Sequence, residues 1–153
     1  MIEPAQFEDV PRLVEIGQAM AQESPRWSRL EYSVEKVAQM IDSLLCTSDG
    51  LVLVSRIDGE ITGGIMAVAR SNWMSNEVIA QEIALFILPE HRASFAACRL
   101  ISAMVAWSKT KGARWIEAGI STGVHTERTA QLYERLGFKR FQIGLEYEHV
   151  HRT

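Results

Sequence analysis

The sequence has little cysteine and no spacing of residues that is typical of a metal site. Two of its 153 residues are cysteine, Cys46 and Cys98, and they are far apart with no CxxC pattern. Four isolated histidines show no metal-ligand spacing and have no acidic cluster beside them: His91, His125, His149 and His151. We therefore expect no metal. A disulfide stays open, but two reduced thiols in a cytoplasmic protein are the simpler interpretation.

Long apolar runs and an excess of positive charge are also missing. No uncharged stretch is long enough to cross a bilayer, and the N-terminus lacks the basic and apolar regions of a signal peptide. The net charge is −3, which favours neither nucleic acid nor an anionic membrane as a partner. At this length, residues 1–153 are expected to form a single domain.

What the chain does contain is an alternation of helix and strand patterns. Apolar residues at helical spacing predict four helices, at about residues 8–22, 33–45, 94–110 and 126–136. Period-two and short apolar runs predict about seven strands, at residues 1–6, 51–57, 61–70, 77–88, 114–121, 138–143 and 145–149. Asp58-Gly59 predicts a tight hairpin between the second and third strands. The expected fold is therefore α/β, with one central mixed sheet flanked by helices.

Two local patterns carry most of the functional information. In the first, a buried strand ends at Leu88, turns at Pro89-Glu90-His91-Arg92 and continues into a helix. Such a turn directs free backbone N–H groups of the helix toward one point, where an anion fits. In the second, Leu-Tyr-Glu-Arg-Leu-Gly-Phe at 132–138 ends a helix at Gly137 and presents the hydroxyl of Tyr133.

Together these residues resemble the GNAT family of N-acetyltransferases, which use acetyl-CoA to acetylate amines. The resemblance implies a mostly antiparallel sheet and places the CoA pyrophosphate at 92–97. Arg92 and Ala97 match the family pattern, whereas Phe95 stands where glycine is usual. Small neighbours would let the backbone approach phosphates closely. The residues implied to contact acetyl-CoA are main-chain groups at Phe86 and Ile87, the turn Arg92, Ala93, Ser94, Phe95, Ala96 and Ala97, and Thr126, which is also the expected helix N-cap.

The same resemblance assigns two catalytic roles. Tyr133 would be the general acid that protonates the departing thiolate, and the alternative is a half-buried helix aromatic whose hydroxyl reaches water. Glu82 would be the general base, because a carboxylate buried in an apolar strand has a raised pKa. Its alternative is an exposed position at the start of the strand, and Glu117 and Ser121 on the next strand compete for the role. Simple alternation places Glu82 on the same face as Ala84, Phe86 and Leu88.

The acceptor is not identified by any motif. Arg26 and Trp27 lie between the first two helices, where the family places part of its acceptor site. Small amines and protein amines both remain open as acceptors. A non-catalytic member that binds CoA or a protein partner is the alternative function, favoured by Phe95 and opposed by Tyr133. A homodimer is one open oligomeric state, and Trp73 and Met74, in a predicted turn, are candidates for a subunit contact or a substrate wall.

Overall fold

A computed structural model of the protein describes residues 1–150, which form one five-stranded sheet covered on both faces by helices. The sheet runs in the order β1-β2-β3-β4-β5, and only the pairing of β4 with β5 is parallel. The strands are β1 (Ile2–Pro4), β2 (Gly50–Ile57), β3 (Glu60–Ser71), β4 (Val78–Ile87) and β5 (Ile116–Glu117). The mixed sheet confirms the expected fold class.

Four α-helices connect and cover these strands. They are α1 (Val10–Glu23), α2 (Val34–Cys46), α3 (Ala96–Thr110) and α4 (Thr126–Arg135). Ser33, at the position where the sequence predicts this helix to begin, caps α2 by accepting a hydrogen bond from the Lys36 N–H at 3.2 Å. None of these helices, within the residues described, has both the length and the hydropathy that a bilayer crossing requires.

The β2–β3 hairpin turns at Asp58-Gly59, and this prediction from the sequence is confirmed. Both residues have positive φ, 50° and 84°. Those values are typical of the tight turn whose twist matches that of the two strands.

The sheet separates two apolar cores. One face packs against α1 and α2 and includes Val54, Met66 and Phe86. The other face packs against α3 and α4, and the core there includes Ile65 and Ala67 of β3 and Tyr133 of α4. Alternation along β2 and β3 supplies both cores, since neighbouring residues of a strand point to opposite faces.

The expectation of about seven strands is wrong at the C-terminal side of the sheet. Residues 114–121 were expected to form one strand, but only Ile116–Glu117 pair with β4. In the described part of the chain, residues 138–150 form no strand, so the pair expected at 138–143 and 145–149 is absent. The period-two pattern is present in this segment, but a strand also needs a neighbouring strand to pair with, and this segment has none.

Candidate active site

A β-bulge in β4 determines where the Glu82 side chain points. Ala84 lies opposite Met66, and Glu82 lies opposite Ala67, so Ile83 is an extra residue on β4. An extra residue reverses the alternation on one side of the bulge. Ala84 therefore faces α1 and α2 with Met66, whereas Glu82 faces α3 and α4 with Ala67. The prediction that Glu82 shares a face with Ala84, Phe86 and Leu88 is wrong for this reason.

The bulge brings Glu82 to Tyr133, the tyrosine of the second sequence pattern. The Tyr133 hydroxyl donates a hydrogen bond to Oε2 of Glu82. The tyrosine ring is only 6% exposed, and it makes an edge-to-face contact with Phe138 at 5.1 Å between ring centroids. Thus the structure places the two sequence-predicted catalytic residues, 51 positions apart, in direct contact.

Burial changes the acidity of both members of this pair. It raises the pKa of Glu82 from 4.5 to about 7, while the hydrogen bond from Tyr133 acts in the opposite direction by favouring the carboxylate. Burial also raises the pKa of Tyr133, and the negative charge of Glu82 raises it further. Near neutral pH the pair therefore consists of a carboxyl close to its midpoint and a fully protonated phenol.

Next to this pair, β4 has an unpaired edge. Its pairing with β5 consists of Ala80 opposite Ile116 and Gln81 opposite Glu117, although β4 continues to Ile87. At the end of the strand, the Leu88 N–H donates to the Thr62 carbonyl on β3 at 2.9 Å. Because N–H groups alternate between the two edges of a strand, the Ile87 N–H points to the edge that β5 leaves open.

The two main-chain positions predicted to contact the cosubstrate therefore differ in their surroundings. Ile87 lies on the open edge, whereas Phe86 lies opposite Gly64 and its ring is buried in the core against α1 and α2. By the same alternation, the Phe86 N–H points toward β3.

The turn after β4 leads into α3 as the sequence predicts. Pro89–His91 form one turn of 3₁₀ helix, and α3 begins at Ala96 with Phe95 in the N-cap position. The Ser94 hydroxyl accepts a hydrogen bond from the Ala96 N–H at 3.2 Å, and Ala93 is exposed beside it. The remaining first-turn amides of α3, including that of Ala97, have no carbonyl partner in the preceding turn of helix.

Phe95, the departure from the family pattern, lies at the surface. Its side chain is 76% exposed. It lines a shallow depression of about 560 Å³ with Ile2, Cys98, Arg99 and Ser102, which places it along the side of α3.

The guanidinium of Arg92 ties this turn to the end of α1. It donates to both carboxylate oxygens of Glu23, at 2.6 and 2.5 Å, and its Nε donates to the Ile87 carbonyl at 3.1 Å. Arg92 lowers the pKa of Glu23 through these hydrogen bonds. The side chain of Arg92 is therefore engaged within the protein, where it holds the turn in place.

The end of α1 also contacts the segment that follows β5. Ser24 is 1% exposed, and its hydroxyl donates to the Thr122 carbonyl at 2.5 Å and accepts from the Trp27 N–H at 3.0 Å. The Trp27 indole N–H donates to the Ser121 hydroxyl at 3.3 Å. The guanidinium of Arg26 stacks over the Trp27 ring at 4.5 Å.

These contacts bring the sequence-predicted Arg26 and Trp27 to the segment after β5 that carries the competing residue Ser121. The sequence pattern did not single out Glu23 or Ser24. The Glu23 carboxylate binds a residue 69 positions away, and the Ser24 hydroxyl donates to one 98 positions away, so no local signal identifies these two contacts.

Two other sequence-predicted positions have roles that differ from the expectation. His125, at φ 47°, occupies the N-cap position of α4, and Thr126 is the first helical residue and is exposed. The prediction of Thr126 as N-cap is thus wrong by one residue. Glu117 accepts hydrogen bonds from the side chains of Gln81 and Trp115.

Among residues 1–150, no group of three or more potential ligands is arranged to hold a metal ion.

Comparison with known proteins identifies the family of this fold. A family model described as an acetyltransferase (GNAT) domain matches residues 48–140, which is more than half of the chain. No curated protein sequence matches the chain significantly.

Solved structures with the same fold cover nearly the whole chain at low identity. A transcriptional regulator from Bacillus halodurans superposes with a TM-score of 0.78 at 16% identity, over 97% of this chain and 99% of that one. The protein AAC(6')-Iy, in complex with the bisubstrate analogue CoA-S-monomethyl-acetylneamine, gives 0.77 at 17% identity, over 98% and 97%. A ribosomal-protein-alanine N-acetyltransferase from Brucella melitensis gives 0.70 at 15% identity, over 97% and 99%.

Proposed function

Since the chain belongs to the GNAT family of acetyltransferases, we propose that it transfers an acetyl group from acetyl-CoA to a primary amine, which attacks the thioester directly. The observation that carries this proposal is the contact between Glu82 and Tyr133 beside the open edge of β4. A carboxyl near its midpoint and a protonated phenol supply the base and the acid that the reaction needs.

The residues around the open edge fit acetyl-CoA, which supplies the activated acetyl group. The first-turn amides of α3 suit a pyrophosphate, and small side chains at Ala96 and Ala97 leave the backbone accessible. Phe95 lines a depression along the side of α3 with Cys98, Arg99 and Ser102, so we expect its ring to stay clear of this approach. The Ile87 N–H, on the open edge, suits either the pantetheine arm or the carbonyl oxygen of the thioester. Thr126, exposed at the start of α4, is a further candidate contact.

In the proposed reaction, Glu82 takes a proton from the attacking amine as the new N–C bond forms. Tyr133 donates its proton to the sulfur as the C–S bond breaks. Once Glu82 is protonated, its negative charge no longer raises the pKa of Tyr133. Uptake of the amine proton by Glu82 therefore makes Tyr133 a stronger acid at the stage when the departing thiolate needs a proton. A proton passed from Glu82 to Tyr133 then restores the starting state.

We further propose a small-molecule amine as the acceptor, bound near Arg26 and Trp27. One structural neighbour is named an aminoglycoside antibiotic 6'-N-acetyltransferase, and an aminoglycoside is a small molecule. In this chain, Trp27 provides an apolar wall that is 38% exposed, and the charge of Arg26 is balanced by Glu146 at 2.7 Å.

The free thiols of Cys46 and Cys98 suit a cytoplasmic location.

Titration calorimetry tests the cosubstrate, and release of free CoA thiol in the presence of a panel of small amines tests the reaction. We expect wild type and Tyr133→Phe to bind acetyl-CoA with similar affinity, and Tyr133→Phe to lose at least about a hundredfold in turnover. Phe95→Gly is the matched control for the phosphate turn and should bind at least as well as wild type.

Absence of binding by wild type, with binding restored in Phe95→Gly, would contradict the enzyme proposal. Binding without turnover of any amine, unchanged by Tyr133→Phe, would favour the non-catalytic alternative.

A further inference from the structure

The carboxylate of Glu23, at the end of α1, contacts the turn after β4 and has no part in the reaction steps described above. Both of its oxygens accept hydrogen bonds from the guanidinium of Arg92, at 2.6 and 2.5 Å. The pair is partly sheltered from solvent, since the Arg92 and Glu23 side chains are 30% and 34% exposed. A carboxylate that binds a guanidinium through two parallel hydrogen bonds fixes the plane of that group as well as its position.

The fixed plane directs the remaining donor of Arg92 to the open edge of β4. Its Nε donates to the Ile87 carbonyl at 3.1 Å. In a strand the N–H and C=O of one residue point to the same edge, so this carbonyl lies beside the Ile87 N–H. A guanidinium has no hydrogen-bond acceptor, and it therefore satisfies the carbonyl while it leaves the neighbouring N–H available to the thioester.

The peptide group that follows Ile87 is consequently held from both sides. Its carbonyl accepts from Arg92, and its N–H, which belongs to Leu88, donates to the Thr62 carbonyl at 2.9 Å. A rotation of this peptide would change the direction of the Ile87 N–H, because the two rigid peptide groups share one Cα atom. Glu23 thus acts on the Ile87 N–H through Arg92.

The residue after Glu23 holds the opposite side of the open edge. Ser24 is 1% exposed and donates to the Thr122 carbonyl at 2.5 Å, in the segment after β5. In the described chain, β4 and β5 pair at Ala80 and Gln81 and not beyond. Two consecutive residues at the end of α1 therefore connect the end of β4 with the segment after β5, where the sheet itself no longer joins them.

From this connection we propose that Glu23 is a positioning residue for acetyl transfer. Through Arg92 it keeps the Ile87 N–H directed at the thioester, and together with Ser24 it holds the two sides of the open edge at a fixed separation. This inference rests on the proposed function. A donor held in place before the reaction needs no reorganisation in the transition state, so its displacement lowers kcat more than it lowers the affinity for the cosubstrate.

Glu23→Gln tests this role, because it keeps the size of the side chain and removes its charge. With neamine, a small aminoglycoside, as the probe amine, we expect kcat to fall about tenfold. Calorimetry should give a Kd for acetyl-CoA within about threefold of wild type, since the first-turn amides of α3 are unchanged. Glu15→Gln breaks the exposed pair with Arg12 on the same helix, and as the matched control it should leave both values unchanged.

Three results of these measurements would overturn the proposal. A kcat within about twofold of wild type would show that Glu23 does not act on the transfer step. A parallel loss of kcat and of affinity for acetyl-CoA would indicate general damage to the turn. A Kd about tenfold lower than that of wild type would show that the pyrophosphate takes Arg92 from Glu23, so that the contact is absent from the complex.

The Arg92→Ala background tests whether Glu23 acts through Arg92. In this background Glu23→Gln should have no further effect on kcat, because the two substitutions remove the same contact. A second fall of about tenfold would place the action of Glu23 elsewhere and would contradict the proposal.

Hydrogen exchange followed by mass spectrometry decides the proposal without turnover. We expect the amides of residues 86–92 to exchange about tenfold faster in Glu23→Gln than in wild type, with a smaller change in β2 and none in Glu15→Gln. Equal rates in wild type and Glu23→Gln would overturn the proposal. Wild type that acetylates neither neamine nor another amine of the panel would contradict the proposed function instead, and faster exchange in Glu23→Gln would still show that Glu23 holds the Ile87 peptide.

Discussion

Replacing Glu82 by glutamine should change the pH dependence of stability in a defined direction. Burial raises the pKa of Glu82 from 4.5 to about 7, so the folded protein holds a proton in this interval that the unfolded chain releases. Stability then falls as pH rises through this interval, since the native state binds more protons than the unfolded state. The contribution of Glu82 is thus greatest below pH 4.5 and is lost as pH rises to about 7. Glu82→Gln removes this titration while it keeps the size of the side chain.

The magnitude follows from the size of the pKa shift. Each unit corresponds to about 1.4 kcal/mol, so the shift is worth roughly 3 kcal/mol in the free energy of unfolding. Glutamine can accept the hydrogen bond from Tyr133, but its amide N–H groups need partners of their own, at a cost of about 1 kcal/mol that does not depend on pH. We therefore expect Glu82→Gln to be about 1 kcal/mol less stable than wild type near pH 4.5 and about 2 kcal/mol more stable near pH 8.

Urea unfolding followed by tryptophan fluorescence, at several pH values between about 4.5 and 8, measures this difference. Glu117→Gln, the same substitution on the adjacent strand, controls for the general loss of a carboxylate. The reasoning would be refuted if the stability difference between Glu82→Gln and wild type stayed constant within about 0.5 kcal/mol over the whole range. The same variant should have almost no acetyl-transfer activity, so that a gain in stability accompanies the loss of function.

Three further predictions concern the surroundings of this pair. The value of kcat/KM should rise with pH through about 7, because Glu82 must be deprotonated to act as base. In Tyr133→Phe the residual activity should show this rise at higher pH, because the hydrogen bond that lowers the Glu82 pKa is gone. A pH profile of Tyr133→Phe that is not shifted would argue against the pair. Arg92→Ala should lower the free energy of unfolding by about 1 kcal/mol at neutral pH, because it breaks the partly exposed ion pair with Glu23. Urea titrations should show this loss shrinking as acid protonates Glu23, whereas a loss independent of pH would contradict the ion pair. Ser24→Ala should cost about 1–2 kcal/mol, because it leaves the partly buried Trp27 N–H and the Thr122 carbonyl without their partner. A thermal melt equal to that of wild type would show that water replaces the hydroxyl.

The sequence alone was sufficient for the elements with strong local signals. The Asp58-Gly59 turn, the start of α2 at Ser33 and the strand–turn–helix at Pro89 depend on backbone preferences of a few consecutive residues, and all three are observed. Tyr133 and Glu82 were also named from the sequence, through the family resemblance that the two local patterns carry.

The tertiary structure decided how these residues are arranged. The bulge at Ile83 turns Glu82 to the face of Tyr133, and its cause lies in the register with β3, which no pattern within β4 reports. The ties from Arg92 to Glu23 and from Ser24 to Thr122 also join residues distant in sequence.

The segment of residues 139–150, after α4, separates the two kinds of information most clearly. Its period-two pattern correctly indicates residues suited to a strand, but the pattern gives no neighbour for that strand, and none lies beside it in the single chain. Local preference is a property of a few consecutive residues, so the sequence determines it. Pairing, register and the direction of a side chain depend on which distant backbone lies alongside, and only the tertiary structure, or an assembly of two chains, determines that.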